Sequence, residues 1–250
     1  MKALITGASS GIGLEMAKYL ASMNYELILV GRNKDKLEAL QKELNVSSQI
    51  VILDLSDETK VKELYVHVRN ENIDILINNA GFGDFGKFYE TDVNTDLEMI
   101  NTNIKAVHLL TKLFLRDMQK RDSGYILNVA SIAAFGPGPL MATYYATKAY
   151  VNSITEAIYE ELRREKSNVH ISSLCPGPTE SQFFDRAGVT FSVKPMKCED
   201  VAKYGIDKMF KGKVIIVPGF LNKCSIFFRR FGSRSLARKV TYKIQKAKKK

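Results

Sequence analysis

Residues 2–20 read Lys-Ala-Leu-Ile-Thr-Gly-Ala-Ser-Ser-Gly-Ile-Gly-Leu-Glu-Met-Ala-Lys-Tyr-Leu, and this stretch decides the fold. The apolar run at its start predicts a short buried strand. Met16, Ala17 and Leu20 share one face of the helix that follows. Glycine in the turn between them lets a backbone approach a pyrophosphate closely, and a helix N-terminus offers N–H groups to phosphate oxygens. The stretch therefore predicts a phosphate-binding turn, with an ordinary strand-to-helix connection as the alternative.

The rest of the chain repeats this alternation of short strands and amphipathic helices. Further strands are predicted at residues 26–30, 49–55, 74–77, 125–129, 169–175 and 213–217, with helices at 35–44, 57–70, 96–120, 144–166 and 199–211. Such alternation predicts an α/β fold with a parallel sheet covered by helices on both faces. Ligands of these sheets bind at the carboxyl ends of the strands. No linker divides residues 1–220, so they are predicted to form one domain.

Composition narrows the class of protein. The 250 residues are 45% hydrophobic, as expected for a globular chain, and no apolar run is long enough to cross a membrane. The N-terminus carries no targeting signal. Three widely spaced cysteines form no CxxC pair, so neither a disulfide framework nor a zinc site is indicated. We therefore expect a cytoplasmic protein without a bound metal. Peripheral association with a membrane surface is the alternative, and it depends on the C-terminal tail described below.

The end of the second predicted strand bears on the cofactor. In a dinucleotide site, an acid there accepts a hydrogen bond from the ribose of NAD, whereas an arginine accommodates the 2′-phosphate of NADP. Arg32 occupies this position, with Lys34 and Lys36 nearby, which predicts NADP(H) over NAD(H). A solvated loop charge is the alternative, and Asp35 lies close by. At the end of the next strand, the carboxylate of Asp54-Leu55 is positioned to accept from an adenine amino group.

Tyr144 and Lys148 are four residues apart in a helix-favouring segment and therefore share one face. An ammonium beside a phenol favours the phenolate, so Lys148 is expected to lower the pKa of Tyr144. Such a phenol can give a proton to a carbonyl oxygen or take one from an alcohol. Tyr145 has Ala149 at the same spacing and lacks this partner. Because the spacing is common on helix surfaces, its meaning depends on the other motifs.

Polar residues end several other strands. Asn78 and Asn79 are expected to tie neighbouring loops through side-chain hydrogen bonds, and Ser131 follows the strand at 125–129. Taken in order, the motifs resemble the short-chain dehydrogenase/reductase family over residues 2–220. Residues 6–13 fit its TGxxxGxG motif, residues 78–81 its NNAG motif, residues 176–177 its PG turn, and Asn103, Ser131, Tyr144 and Lys148 its catalytic tetrad.

This resemblance implies a single Rossmann-like domain with a doubly wound, seven-stranded parallel sheet. It implies nicotinamide-dependent interconversion of carbonyls and alcohols, with Tyr144 as general acid/base. Ser131 would bond the substrate oxygen, Lys148 would hold the nicotinamide ribose, and Asn103 would position a water beside Lys148. The cofactor-binding residues expected on this basis are Gly7, Ser9, Ser10, Gly11, Ile12, Gly13, Arg32, Asp54, Leu55, Asn79, Ala80, Gly81, Tyr144, Lys148, Pro176, Gly177 and Thr179.

Large apolar residues near these motifs predict an apolar substrate, with core packing as the alternative; they are Phe85, Phe88, Phe135, Met141, Phe183, Phe184 and Phe191. Residues 181–195 are predicted to form a substrate lid. The stripe of Val151, Ile154 and Ile158 indicates a homodimer or homotetramer. A rival hypothesis is a catalytically idle NADP-binding or membrane-scaffold protein.

The C-terminal extension, residues 221–250, accounts for the net positive charge of the chain. Residues 208–250 contain 14 Lys and Arg and no Asp or Glu, whereas the chain as a whole has a net charge of +10. Phe227 and Phe231 form one apolar pair, and Leu236, Val240, Ile244 and Ala247 form a stripe beside the cationic residues. Such a pattern suits an anionic membrane surface, and packing on the domain or on a partner subunit is the alternative. Nucleic-acid binding is not expected, because no recognition fold accompanies the charge.

Overall fold

The computed structural model describes residues 1–180, 195–229, 231 and 233–247. Its strands are β1 Lys2–Thr6, β2 Glu26–Gly31, β3 Ser48–Ile52, β4 Ile75–Asn78, β5 Gly124–Val129, β6 Val169–Leu174 and β7 Ile215–Ile216. Its α-helices are α1 Gly11–Ser22, α2 Lys34–Glu43, α3 Glu58–Val68, α4 Val93–Ile100, α5 Val107–Arg121, α6 Ala142–Glu165, α7 Cys198–Phe210, α8 Phe220–Arg229 and α9 Arg234–Lys246.

The seven strands form one sheet in the order β3-β2-β1-β4-β5-β6-β7, and all neighbouring strands are parallel. The α/β fold with a doubly wound, Rossmann-like parallel sheet is thus confirmed. The chain runs outward from β1 to β3 and then returns across β1 to continue from β4. Loops after β1 and β4 therefore diverge at their carboxyl ends, and this is where such sheets bind ligands.

The two faces of the sheet are covered by separate apolar layers, because successive side chains of a strand point to opposite faces. In β1, Ala3 and Ile5 pack in the layer of α1 and α7, whereas Leu4 packs in the layer of α3 and α5. Leu4 is fully buried, so Leu4→Ala would cost about 3 kcal/mol of stability. These layers fix the sheet and, with it, the positions of the loops at its carboxyl edge.

One predicted helix is interrupted. The stretch predicted as a single helix over 96–120 consists of α4, a π-helical segment at Asn101–Ala106, and α5. The π-helical turn carries one extra residue per turn, which turns the side chain of Asn103 toward the interior. Periodicity at 3.6 residues gives no sign of such a local change.

The extension forms two helices, α8 and α9. Because α8 begins at Phe220, it starts one residue before the expected beginning of the extension at residue 221. The predicted stripe of Leu236, Val240 and Ile244 is exposed and does not pack on this domain; Thr241 and Gln245 on the other face of α9 are buried instead. The lid predicted at 181–195 falls almost wholly outside the described residues. Among the helices that are described, none combines the length and apolarity needed to span a bilayer.

Candidate active site

A cavity of about 450 Å³ opens at the carboxyl ends of the central strands. Most residues expected at the site line it: Gly7, Ser9, Ser10, Gly11, Ile12, Arg32, Asp54, Leu55, Asn79, Ala80, Gly81, Ser131, Tyr144, Lys148, Pro176, Gly177 and Thr179. Gly13 and Asn103 lie behind its wall. The sheet thus brings together residues from positions 7 to 179 in one space of the size typical of small-molecule sites.

The turn between β1 and α1 has the geometry expected of a phosphate-binding loop. Gly7 has a φ of +67°, which favours glycine, and a side chain at Gly13 would collide with the Gly7 carbonyl oxygen and with Asn79. Asn79 Nδ2 donates to the carbonyl oxygens of Thr6 and Gly7 at 3.0 and 3.2 Å. The expectation that the paired asparagines tie neighbouring loops is therefore confirmed.

The first turn of α1 lines this cavity through Gly11 and Ile12. Ser10 is the N-cap residue but makes no capping hydrogen bond through its side chain, in contrast to Asn33 and Asp57, which cap α2 and α3. No acidic residue lies in the first turn of α1. An uncapped helix N-terminus carries partial positive charge, so the loop is suited to a phosphate group.

At the end of β2, Arg32 lines the cavity together with Lys36 and Asp54. The guanidinium of Arg32 is half-exposed and lies 3.1 Å from a carboxylate oxygen of Glu98 and 3.6 Å from one of Asp54. Arg32 is therefore held in the wall of the cavity by two acids, of which Asp54 was expected at the site. Glu98 comes from α4, and its contact with Arg32 was not predicted.

The phenol of Tyr144 is buried at the inner end of the cavity. Burial raises the pKa of Tyr144 above its usual value, and the hydrogen bond with the Ser131 side chain opposes this only in part. The expectation that Lys148 lowers this pKa is wrong for this arrangement. Lys148 Nζ lies 5.9 Å from the ring centroid of Tyr144 and donates instead to the Val129 carbonyl oxygen at 2.8 Å.

Lys148 is itself almost fully buried, which lowers its pKa to about 8 because burial penalises the ammonium. Its Nζ lies close to Gly81, where an added Cβ would be 3.2 Å away. A lysine on the α6 face toward the cavity is thus positioned between the NNAG turn and the end of β5. Its ammonium therefore loses a proton at a lower pH than that of an ordinary lysine.

Ser131 has two structural partners as well as a place in the cavity. Its Oγ accepts from the backbone N–H of Ala133 at 3.1 Å, capping the short 3-10 helix Ile132–Phe135, and donates to the Pro176 carbonyl oxygen at 3.4 Å. These bonds fix the hydroxyl beside Tyr144. Thr179, which follows the next strand, is held in turn by a 3.0 Å hydrogen bond from its Oγ1 to the Gly177 carbonyl oxygen.

Asn103 does not reach the cavity. Its side chain exchanges hydrogen bonds with both backbone groups of Phe82, at 2.8 and 3.1 Å, and donates to Thr147 Oγ1 at 3.1 Å. Thr147 lies between Tyr144 and Lys148 on α6. The π-helical turn thus places an amide that joins the loop after β4 to the helix that carries the tyrosine and the lysine.

The remaining wall of the cavity is apolar and was predicted only in part. Met141 lines it as expected, but Phe88 is exposed elsewhere and Phe135 packs in a cluster with Val107, Ala130, Val151 and Cys175. Phe85 packs behind the wall, whereas Phe82 and Ala133 line it. Phe183, Phe184 and Phe191 lie outside the described residues. The sequence does not separate apolar residues that line the cavity from those that pack in the core, because both kinds lie near the same motifs.

Gln245 of α9 also lines the cavity, 100 residues after Tyr145, to whose hydroxyl its Nε2 donates at 2.6 Å. Gln245 was not predicted as a lining residue, because packing on the domain was considered only for the apolar stripe of the extension and not for its polar residues. The only available sign was a polar gap at Thr241 and Gln245 between the apolar positions of α9. These polar residues show that α9 has a second, less apolar face, but they do not show which part of the protein that face contacts.

Comparison with known proteins agrees with this geometry. The family described as short chain dehydrogenase matches residues 1–189. An uncharacterised oxidoreductase of Staphylococcus epidermidis is 34% identical over 181 residues, covering 72% of this chain and 78% of the relative.

Two solved structures bear on the fold. A short-chain dehydrogenase from Sphingobium yanoikuyae, in complex with NADPH, superposes with a TM-score of 0.82 at 27% identity and covers 88% of each chain. A short-chain dehydrogenase/reductase from Burkholderia phymatum, in complex with NAD, has a TM-score of 0.84 at 24% identity and covers 95% of each chain, which bears on the fold alone.

Proposed function

The chain belongs to the short-chain dehydrogenase/reductase family, and on that premise we propose that it interconverts an apolar carbonyl compound and its alcohol, with NADP(H) as cofactor. The observation that carries the proposal is the buried phenol of Tyr144, held beside the Ser131 hydroxyl at the inner end of the cavity. When bound, the nicotinamide supplies or accepts the hydride.

In this proposal Tyr144 is the proton donor for reduction. Its raised pKa keeps the phenol protonated at neutral pH, which suits a group that gives a proton to a developing alkoxide. The Ser131 hydroxyl would turn its one proton from the Pro176 carbonyl oxygen to the same substrate oxygen, where negative charge accumulates. Lys148 has a pKa of about 8 and is therefore mostly charged at neutral pH. In this proposal its ammonium places positive charge near the phenol and holds the nicotinamide ribose.

Asn103 acts in this proposal as a positioning residue. Its bonds to Phe82 and Thr147 support a role in fixing α6 against the loop after β4, and so in keeping Tyr144 and Lys148 in register. The role implied by the family resemblance, in which Asn103 positions a water beside Lys148, stays a prediction.

The preference for NADP(H) over NAD(H) is proposed on the charges at the end of β2. Arg32 and Lys36 both line the adenosine end of the cavity, and two cationic side chains favour a 2′-phosphate. Asp54 and Glu98 hold the guanidinium of Arg32 in place and compete with the phosphate for it. The uncapped N-terminus of α1 fits the pyrophosphate, which both cofactors share.

An idle cofactor-binding scaffold is the rival function. The pre-arranged Ser131, Tyr144 and Lys148 favour catalysis, because a binding protein has no need to bury a lysine and a phenol together. We propose to test both with an NADPH-consumption screen over carbonyls graded by chain length and ring size. Reduction of apolar members supports the enzyme; NADPH binding without reduction of any member would support the scaffold.

We also propose that the extension rests on an anionic membrane surface, with the rest of the protein in the cytoplasm. The tail patch is the set of apolar side chains on α8, α9 and their connection that are 46% to 75% exposed: Phe227, Phe228, Phe231, Leu236, Val240 and Ile244. No acidic residue follows Asp207 to oppose anionic lipid. Exposed apolar side chains among cations suit the boundary between headgroups and acyl chains.

Vesicle flotation tests this surface. The double variant L236S/I244S should float less with phosphatidylglycerol vesicles than the unchanged protein, whereas V66S, which alters an exposed valine on α3, should float as well as it. Equal flotation of the double variant and V66S would remove the membrane proposal.

Assembly as a homodimer or homotetramer stays a proposal that rests on the stripe of Val151, Ile154 and Ile158. The stripe from which it was predicted is largely internal: Val151 is fully buried and Ile158 packs against the core. A monomeric sedimentation profile would contradict it.

A further inference from the structure

The C-terminal extension is joined to the rim of the cavity at three points. A side chain at Gly177 would collide with the Asn222 amide, and one at Gly136 would come within 3.1 Å of the Arg229 guanidinium. Gln245 reaches the hydroxyl of Tyr145. Helices α8 and α9 therefore cover the substrate end of the cavity from outside.

Tyr145 is the residue on which this cover rests. Its ring packs flat against Gly138, where any side chain would collide with the ring atoms, and lies edge-on to the ring of Tyr144 with centroids 6.1 Å apart. The ring of Tyr145 is thus held beside the ring of Tyr144, while α9 brings Gln245 to the hydroxyl of Tyr145. Together they make a polar pair beside the apolar wall of Phe82 and Met141.

Gln245 is only 1% exposed, yet one of its two polar side-chain atoms is unpaired within the part of the chain that the structure describes. Its Oε1 has no hydrogen-bond partner among the described residues, while its Nε2 donates to Tyr145. A tyrosine hydroxyl both donates and accepts, so either orientation of the amide bonds Tyr145 and leaves the other polar atom unpaired. An unpaired buried polar atom destabilises the fold, and a lining residue of a binding cavity recovers this loss when a ligand supplies the missing partner.

We infer that Gln245 is a specificity-determining residue, and that the substrate is an apolar carbonyl or alcohol with a second hydrogen-bonding group, such as a hydroxyl, remote from the reacting carbon. This inference rests on the proposed function for the identity of the reacting group. The apolar wall holds the body of the molecule, Tyr144 and Ser131 hold the reacting oxygen, and Gln245 holds the remote group. A hydroxyl satisfies either orientation of the amide, because it donates and accepts.

The test compares straight-chain methyl ketones of increasing length with their omega-hydroxy analogues. Binding to the full-length protein with saturating NADP⁺ is measured by calorimetry. At the length that reaches Gln245, the hydroxylated ketone should bind about tenfold more tightly than its parent, since one hydrogen bond to a buried partner is worth about 1.4 kcal/mol. Equal affinity within every pair would overturn the inference, and this result needs no variant.

The matched variants are Q245M, which keeps the length and volume of the side chain, and K246M, which alters an exposed neighbour on α9. Q245M should lower the preference for the hydroxylated ketone to within about twofold, whereas K246M should keep it. Retention of the tenfold preference in Q245M would overturn the inference. Binding needs no turnover, so this inference and the proposed function fail separately. Selective binding without reduction would contradict the proposed function and support this inference. Reduction with equal affinities would support the proposed function and overturn this inference.

Discussion

Replacing Lys148 with methionine should make the protein more stable and inactive at the same time. Lys148 is 5% exposed, and burial lowers its pKa from 10.5 to about 8. At about pH 7 the folded state must keep a buried ammonium, which costs about 3 kcal/mol relative to the unfolded state. Methionine has a similar length and carries no charge, so K148M removes this cost.

The gain is reduced by one lost hydrogen bond. Lys148 Nζ donates to the Val129 carbonyl oxygen at 2.8 Å, and losing that bond costs about 1 kcal/mol. The free energy of unfolding of K148M should therefore exceed that of the unchanged protein by about 2 kcal/mol at about pH 7.

The pH dependence gives the sign of the effect. Between about pH 8 and 10.5 the unfolded chain binds the Lys148 proton and the folded chain has released it, so the unchanged protein gains stability as pH rises through this window. At about pH 9.5 the cost of the buried ammonium has fallen to about 1 kcal/mol, and the advantage of K148M should nearly vanish.

Urea unfolding at the two pH values measures this difference. K112M, which removes an exposed lysine from α5, is the matched control and should show no such pH-dependent gain. A K148M protein that is less stable than the unchanged chain at about pH 7, or a gain that is constant with pH, would refute the assignment of a buried, destabilising ammonium.

Two further predictions concern the cofactor and the substrate oxygen. R32D should raise the KM for NADPH by about tenfold or more in steady-state kinetics and leave the KM for NADH unchanged or lower, because an anion replaces one cation beside the proposed 2′-phosphate. K34D, at an exposed position outside the cavity, is the control. An equal effect of both variants would contradict the role of Arg32. S131A should lower kcat by about 100-fold to 1000-fold with little change in NADPH affinity, because the hydroxyl acts on charge that develops only during the reaction; a KM effect alone would contradict this.

The sequence predicted the sheet and most of the site because both depend on short-range patterns. Apolar runs, glycine positions and polar strand ends indicate where a parallel strand stops, and the carboxyl ends of such strands meet at one edge. Gly7, Asn79, Ser131 and Tyr144 therefore line one cavity despite their separation along the chain.

What could not be predicted depends on contacts between distant parts of the chain. The π-helical turn at Asn103 and the position of Gln245 are set by tertiary packing, for which helical periodicity carries no signal. The direction of the Tyr144 pKa was predicted wrongly, because the spacing of Tyr144 and Lys148 gives their common face but not their burial. Burial penalises the phenolate, and Lys148 is directed to Val129.

The central claim is that Tyr144, and not the adjacent Tyr145, gives the proton to the substrate oxygen. The most direct test compares NADPH consumption by Y144F and Y145F on a carbonyl that the unchanged protein reduces, with NADPH affinity measured alongside. Y144F should abolish turnover and bind NADPH nearly as well as the unchanged protein, whereas Y145F should retain turnover with a changed KM. Turnover by Y144F at the rate of the unchanged protein would contradict the mechanism.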